Sequence, residues 1–297
     1  MTRDVAVKTP HRRLVIVPGF LTERGALSKL LRGSSLDHLD PTATIDERAW
    51  LNAAQVSTAP DVSVEVLSWT SQSLFRMLSE VLAPLINRSF GLGFPGRVDA
   101  QLLRAAFNVK EVWNDAVTQS EEAIQQLVRV IETSPEDESL YLLGHSLGGR
   151  IVLKALMNTL GDRAHLRSSR WVPRASVWAP AIAQREVNWA LLRAAPHPPE
   201  ILFSQTDLVL KLCFPFGQAA IRDFNLRELL KVAGPLFDPT QHAVGLKGPQ
   251  GASGLAYAPQ LDLSDQRMTH IGYLWAFEAL MCRSAYLAAL SPQRQVI

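Results

Sequence analysis

At 297 residues, with 47% apolar and 20% charged residues and a formal net charge of +2, the chain is long and apolar enough to bury a sizeable core. No long basic block accompanies that charge, which argues against nucleic acid as the main partner, and the short "KTPHRR" at 8–13 reads as a solvated tail. No apolar h-region follows the start, and no apolar stretch reaches the length of a bilayer span. Cys213 and Cys282 lie in apolar contexts without metal-type spacing, so free, buried thiols in a reducing, cytoplasmic setting are expected.

In chain order, the first predicted element is a strand, "RLVIVPG" (13–19), near-continuous in branched apolar residues. Such runs mark parallel strands covered on both faces. The loop that follows begins with Pro18 and Gly19, which shape a turn, and Phe20 or Leu21 can offer a main-chain N–H at its mouth. A second strand, "VSVEVLSW" (62–69), precedes an apolar, glycine-interrupted stretch at 72–109 that is too long for a simple connection. It reads as an insertion, either a helix packed on the body or a lid-like wall for an acyl chain. A helix is then predicted over 111–132, where Trp113, Ala116, Val117, Ile124, Leu127, Val128 and Ile131 share one face.

The strand "LYLLG" (140–144) runs directly into "GHSLG" (144–148) and an apolar helix. That is the G-x-S-x-G pattern in the strand-then-helix context of a nucleophile elbow, with Ser146 at the corner. A helix beginning at the serine aims its dipole and unpaired N–H groups at developing negative charge, and the N–H of Leu147 is the first oxyanion donor. The second donor is expected from Phe20 or Leu21 in the loop after the first strand.

A serine hydroxyl needs a base, and the base an orienting acid. Strands at "ASVWAP" (175–180) and "EILFSQ" (200–205) lead to Asp207, which stands directly after a strand in a short polar loop. Asp223 and Asp238 lack a preceding strand, and Asp262 and Asp265 share a segment with the base and could serve only as caps. An irregular region over 211–258 contains His242, and the last strand, "QLDLS" (260–264), is followed by His270 at the start of a helix. That position favours His270 as base, with His242 as the competitor. His145, inside the elbow, is expected to point away from the working side of the serine. The order Ser146, Asp207, His270 is the hydrolase order.

The alternation of strands and helices predicts an α/β fold: one domain over 1–297, with a mostly parallel sheet of about six strands and helices on both faces. With these residues in hand, the chain resembles the α/β-hydrolase superfamily over nearly its whole length, its strands matching the last six of the usual eight. More narrowly it is similar to the DUF726 family, the hydrolase-like domain of transmembrane and coiled-coil domain-containing proteins and related lipases. "VPGFL" (17–21), "LSWTSQSL" (67–74), "LLGHSLGGRIV" (142–152), "FSQTDLVL" (203–210) and "MTHIGYL" (268–274) carry that likeness. Many members of that family have membrane-spanning or coiled-coil segments, and this chain shows neither. The reading is a serine hydrolase of the esterase or lipase kind, with no metal or organic cofactor. Its substrate class is a small-molecule or lipid acyl ester, and peripheral contact with a membrane surface is left open. An acyltransferase or thioesterase with the same triad is the first alternative. A non-enzymatic binding or scaffold protein that kept the fold is the second.

Overall fold

A computed structural model describes residues 11–19, 47–69, 100–162 (save 136), 172–214 (save 208, 212 and 213), 242–249 and 259–292 (save 271). Six strands form one sheet: β1 (His11–Val17), β2 (Val62–Val66), β3 (Glu138–His145), β4 (Arg174–Trp178), β5 (Glu200–Phe203) and β6 (Gln260–Asp262). Every neighbouring pair is parallel, in the order β2-β1-β3-β4-β5-β6. Each of the six strands overlaps a predicted apolar run, though most end two or three residues earlier than the run does. Leu14, Val15, Ile16 and Val17 are fully buried in succession. Consecutive burial of that kind requires cover on both faces of the sheet, which is why these residues alternate with nothing polar.

The helices supply that cover. α1 (Glu47–Ser57), α2 (Ala100–Thr133), α3 (Leu147–Asp162), α4 (Trp189–Arg193), α5 (Val244–Lys247), α6 (Gly272–Trp275) and α7 (Phe277–Arg283) follow in chain order. α3 lies against β1, β3 and β4 and carries α2 on its back. α1 packs on α7 and β2. Successive side chains at the carboxyl ends of β3 and β4 separate the two faces. A methyl built on Gly149 of α3 meets Val177, whereas Trp178 packs against Trp50 of α1 and Phe277 of α7.

Where its side chains are described, the predicted face of α2 is the buried one: Ala116, Ile124, Leu127 and Ile131 are in the core, with Val117 and Val128 packed partly against it, while the Trp113 side chain lies outside those described. The helix itself starts at Ala100 rather than near 111, so the last residues of the 72–109 segment are helical backbone continuous with it. The rest of that segment, and with it the lid reading, lies outside the described residues. Cys282 corrects an expectation: it is a free thiol but exposed. On α7, Leu280 and Met281 take the buried positions, and the next step of roughly 100° turns residue 282 to solvent. Cys213 is outside the described residues. Among the described residues no helix is long and apolar enough to cross a membrane.

Candidate active site

Register brings the carboxyl ends of the strands to one edge: Val17 pairs with Gly144, His145 with Trp178, and Phe203 with Asp262. In open parallel sheets, ligands gather beyond that edge. Ser146 stands there immediately after β3, with a left-handed φ of 55°. A non-glycine residue in that region is strained by about 1–2 kcal/mol, and here the surroundings hold it. Its N–H donates to the Trp178 carbonyl at 3.0 Å, and its own carbonyl accepts from Ala181 N–H at 2.9 Å. The glycines explain how α3 leaves so sharply. A methyl on Gly148 would lie 1.9 Å from the Val17 carbonyl oxygen, so only glycine allows the elbow to press on β1.

Asp207 follows β5 and is fully buried, its carboxylate fixed at both oxygens. Oδ1 accepts from Leu210 N–H at 3.0 Å, and Oδ2 lies 2.7 Å from His270 Nδ1. On the far side of the imidazole, His270 Nε2 lies 2.8 Å from Ser146 Oγ. A carboxylate oxygen only accepts, so Nδ1 carries the proton and Nε2 is left to accept from the serine hydroxyl. Three residues from 146, 207 and 270 are therefore hydrogen-bonded in series, drawn from the ends of β3, β5 and β6.

The competing residues do other work. Asp262 Oδ1 accepts from the Ser264 N–H and hydroxyl, capping the turn at 264–266, and Asp265 sits exposed in that turn. His242 gives its main-chain carbonyl to Gln184 N–H. His11 pairs with Glu138 at the opposite end of the sheet. Asp223 and Asp238 lie outside the described residues. So do Phe20 and Leu21, the expected second oxyanion donors. Leu147 opens α3, where an N–H has no acceptor within the helix, and its side chain is buried. The adjoining turn reaches the site through Gly19: a methyl built there would lie 2.5 Å from Ser146 Cβ and 3.2 Å from Oγ. Among the described residues, no group of three or more His, Cys, Asp and Glu side chains could hold a metal ion.

Two residues gain a place that sequence reasoning did not assign. His145 is not turned away from the site. Its Nε2–H donates to the His270 carbonyl at 2.9 Å, and its ring lies 4.8 Å from the His270 ring. Burial, reinforced by the neighbouring His270, holds His145 well below the ordinary imidazole range, so it stays neutral. Trp69 donates its indole N–H to the Pro18 carbonyl at 2.8 Å. The sequence places it as the last residue of the predicted strand 62–69, whereas β2 ends at Val66 and leaves Trp69 just past the strand, at the ligand edge.

A family profile described as "Alpha/beta hydrolase of unknown function (DUF900)" matches residues 94–225. The fold is that of the α/β hydrolases. The matched span of the α/β-hydrolase fold includes Ser146 and Asp207 and stops short of His270. This match supports the likeness drawn from the motifs at the level of the superfamily. Among solved structures, a metagenomic carboxyl esterase is similar at 14% identity and a TM-score of 0.24, over 80% of this chain. The match spans 62% of that esterase's length. The search of curated proteins finds no match.

Proposed function

We propose that the protein is a serine hydrolase that cleaves carboxylic esters through an acyl-enzyme. The observation that carries this reading is the hydrogen-bonded series from Ser146 Oγ through both nitrogens of His270 to Asp207. In the first half-reaction the Ser146 oxygen bonds to the ester carbonyl carbon while His270 Nε2 takes the hydroxyl proton. The carbonyl π pair moves onto its oxygen. The Leu147 N–H, together with a main-chain N–H of Phe20 or Leu21, is the proposed partner of that oxyanion. Collapse breaks the bond to the alkoxy group, which leaves with the proton from His270. Water then repeats the sequence on the acyl-Ser146 ester, releasing the acid and restoring the hydroxyl. Asp207 holds the imidazole in the tautomer that leaves Nε2 free to accept, and offsets its charge when it is protonated.

A lipid or other acyl ester as substrate, a cytoplasmic location and the finer kinship with DUF726 belong to the same proposal. A fluorophosphonate probe tests its centre. Native protein is expected to be labelled on Ser146, and Ser146→Ala to lose both labelling and ester hydrolysis while keeping its fold. Asp207→Asn is expected to lower kcat by roughly 10⁴-fold, because an amide does not enforce the same tautomer. Labelling that persists in Ser146→Ala would transfer the chemistry to another residue and end this reading.

A further inference from the structure

The Pro18 carbonyl is buried where the ladder between β1 and β2 runs out. Just before it, Leu67 N–H still donates to the Ile16 carbonyl at 2.8 Å. One ladder step on, two residues along each chain, the acceptor is Pro18 and the matching donor position is residue 69. There the donor is not the main chain but the indole Nε1–H of Trp69, at 2.8 Å. The chain thus leaves the sheet while its side chain completes the ladder.

That bond fixes more than one oxygen. A peptide unit is planar, so holding the Pro18 carbonyl also sets the direction of the Gly19 N–H and the position of the Gly19 Cα. Gly19 is packed over Ser146, and the other side is closed too: a methyl built on Gly148 would lie 2.7 Å from the Pro18 oxygen. The Pro18–Gly19 peptide therefore sits between the elbow and the indole, with Trp69 its polar anchor among the described residues. We infer that Trp69 is a positioning residue. Its indole N–H holds the Pro18–Gly19 peptide at its working distance over Ser146, and so governs how well the site stabilises a tetrahedral oxyanion.

The inference rests on the ester-hydrolase reading, and its test separates the two. Trp69→Phe removes the N–H and keeps a buried ring. Replacement of Trp69 by β-(3-benzothienyl)alanine removes the N–H at nearly constant volume, and it decides the matter where the phenylalanine variant does not fold. In folded variant, kcat for p-nitrophenyl butyrate and the rate of fluorophosphonate labelling are expected to fall about tenfold to a hundredfold, with KM within about twofold of native. Affinity for an alkyl boronic acid, which forms a tetrahedral adduct on serine, is expected to fall by the same factor. A tryptophan that only fills the core would instead lower the Tm and leave turnover and boronate affinity per folded molecule at native values. That outcome, or a raised KM with kcat unchanged, overturns the inference while native labelling of Ser146 stands. A native protein that the probe does not label overturns the hydrolase reading and this inference together.

Discussion

At position 145 a histidine is held neutral inside an aromatic wall made by Trp50 at 5.0 Å and Tyr273 at 5.7 Å between ring centroids. Among the described residues the titratable groups whose rings face it are His270 and Tyr273, and burial pushes the Tyr273 phenol well above its ordinary value, so it adds no charge. Because the folded-state value of His145 lies well below the ordinary 6.5, the unfolded chain takes up a proton that the folded chain refuses. Stability from this group is therefore complete above about pH 6.5 and is lost as pH falls below it, towards the depressed value. His145→Gln keeps a side-chain N–H donor for the His270 carbonyl and removes the titration. Its Tm is expected to fall less steeply than the native Tm between pH 6.5 and more acid conditions, as followed by circular dichroism. Identical slopes would show that His145 is not the group that resists protonation.

Among elements, α3 carries the elbow, and its glycines differ in what they tolerate. Gly148 is pressed against the Val17 and Pro18 carbonyls, whereas a methyl on Gly161 meets nothing within 4 Å. Backbone atoms cannot swing aside as a side-chain end can, so Gly148→Ala is expected to prevent folding or to push β1 away from the elbow. Gly161→Ala near the exposed end of the same helix should instead stabilise by about 0.5–1 kcal/mol, since alanine loses less conformational freedom. Urea unfolding of the two variants distinguishes them, and a stable Gly148→Ala with native labelling of Ser146 would contradict the close approach of α3 to β1. The helix is also clamped sideways: Arg150 reaches Glu186 and, at 3.2 Å, Glu121 of α2. Its position under Ser146 is thus set by packing and charge at once.

Across the whole molecule, buried Glu200 on β5 joins the sheet to the C-terminal segment. Its carboxylate accepts from the Ser176 hydroxyl on β4 at 2.8 Å, from the Ser284 hydroxyl and from Ala285 N–H at 2.8 Å. Ser176 in turn accepts from the Trp178 indole at 2.9 Å. Further along, the Leu290 carbonyl accepts from Ala59 N–H, and the Ala289 carbonyl from Arg12. The tail thereby closes the layer of α1 and α7 over the sheet. Glu200→Leu leaves the buried Ser176 and Ser284 hydroxyls and the part-buried Ala285 N–H without this acceptor and is expected to cost about 2–4 kcal/mol in urea unfolding. The folded fraction should still label at Ser146, because none of the three donors to Glu200 touches the series Ser146, His270, Asp207. A loss below about 0.5 kcal/mol would mean that water or a shifted side chain satisfies those donors.

By itself the sequence determined the six strands, the buried face of α2 and the elbow at Ser146. Each of these is local: branched apolar runs, a three-to-four residue period and glycines flanking one serine are legible within a short window. It also singled out Asp207 and His270, because each stands just past a recognisable strand and parallel strands deliver such positions to one edge. Tertiary structure alone decided which groups meet there. That the ring of His145 packs on His270, that the indole of Trp69 reaches Pro18, and that Asp262 caps a turn depend on side-chain directions set by residues far away in the chain. Cys282 shows the same limit: an apolar neighbourhood in sequence does not say which side of a short helix faces solvent. Periodicity encodes what a residue prefers, whereas a hydrogen bond between residues 18 and 69 exists only once the sheet has brought their ends into register.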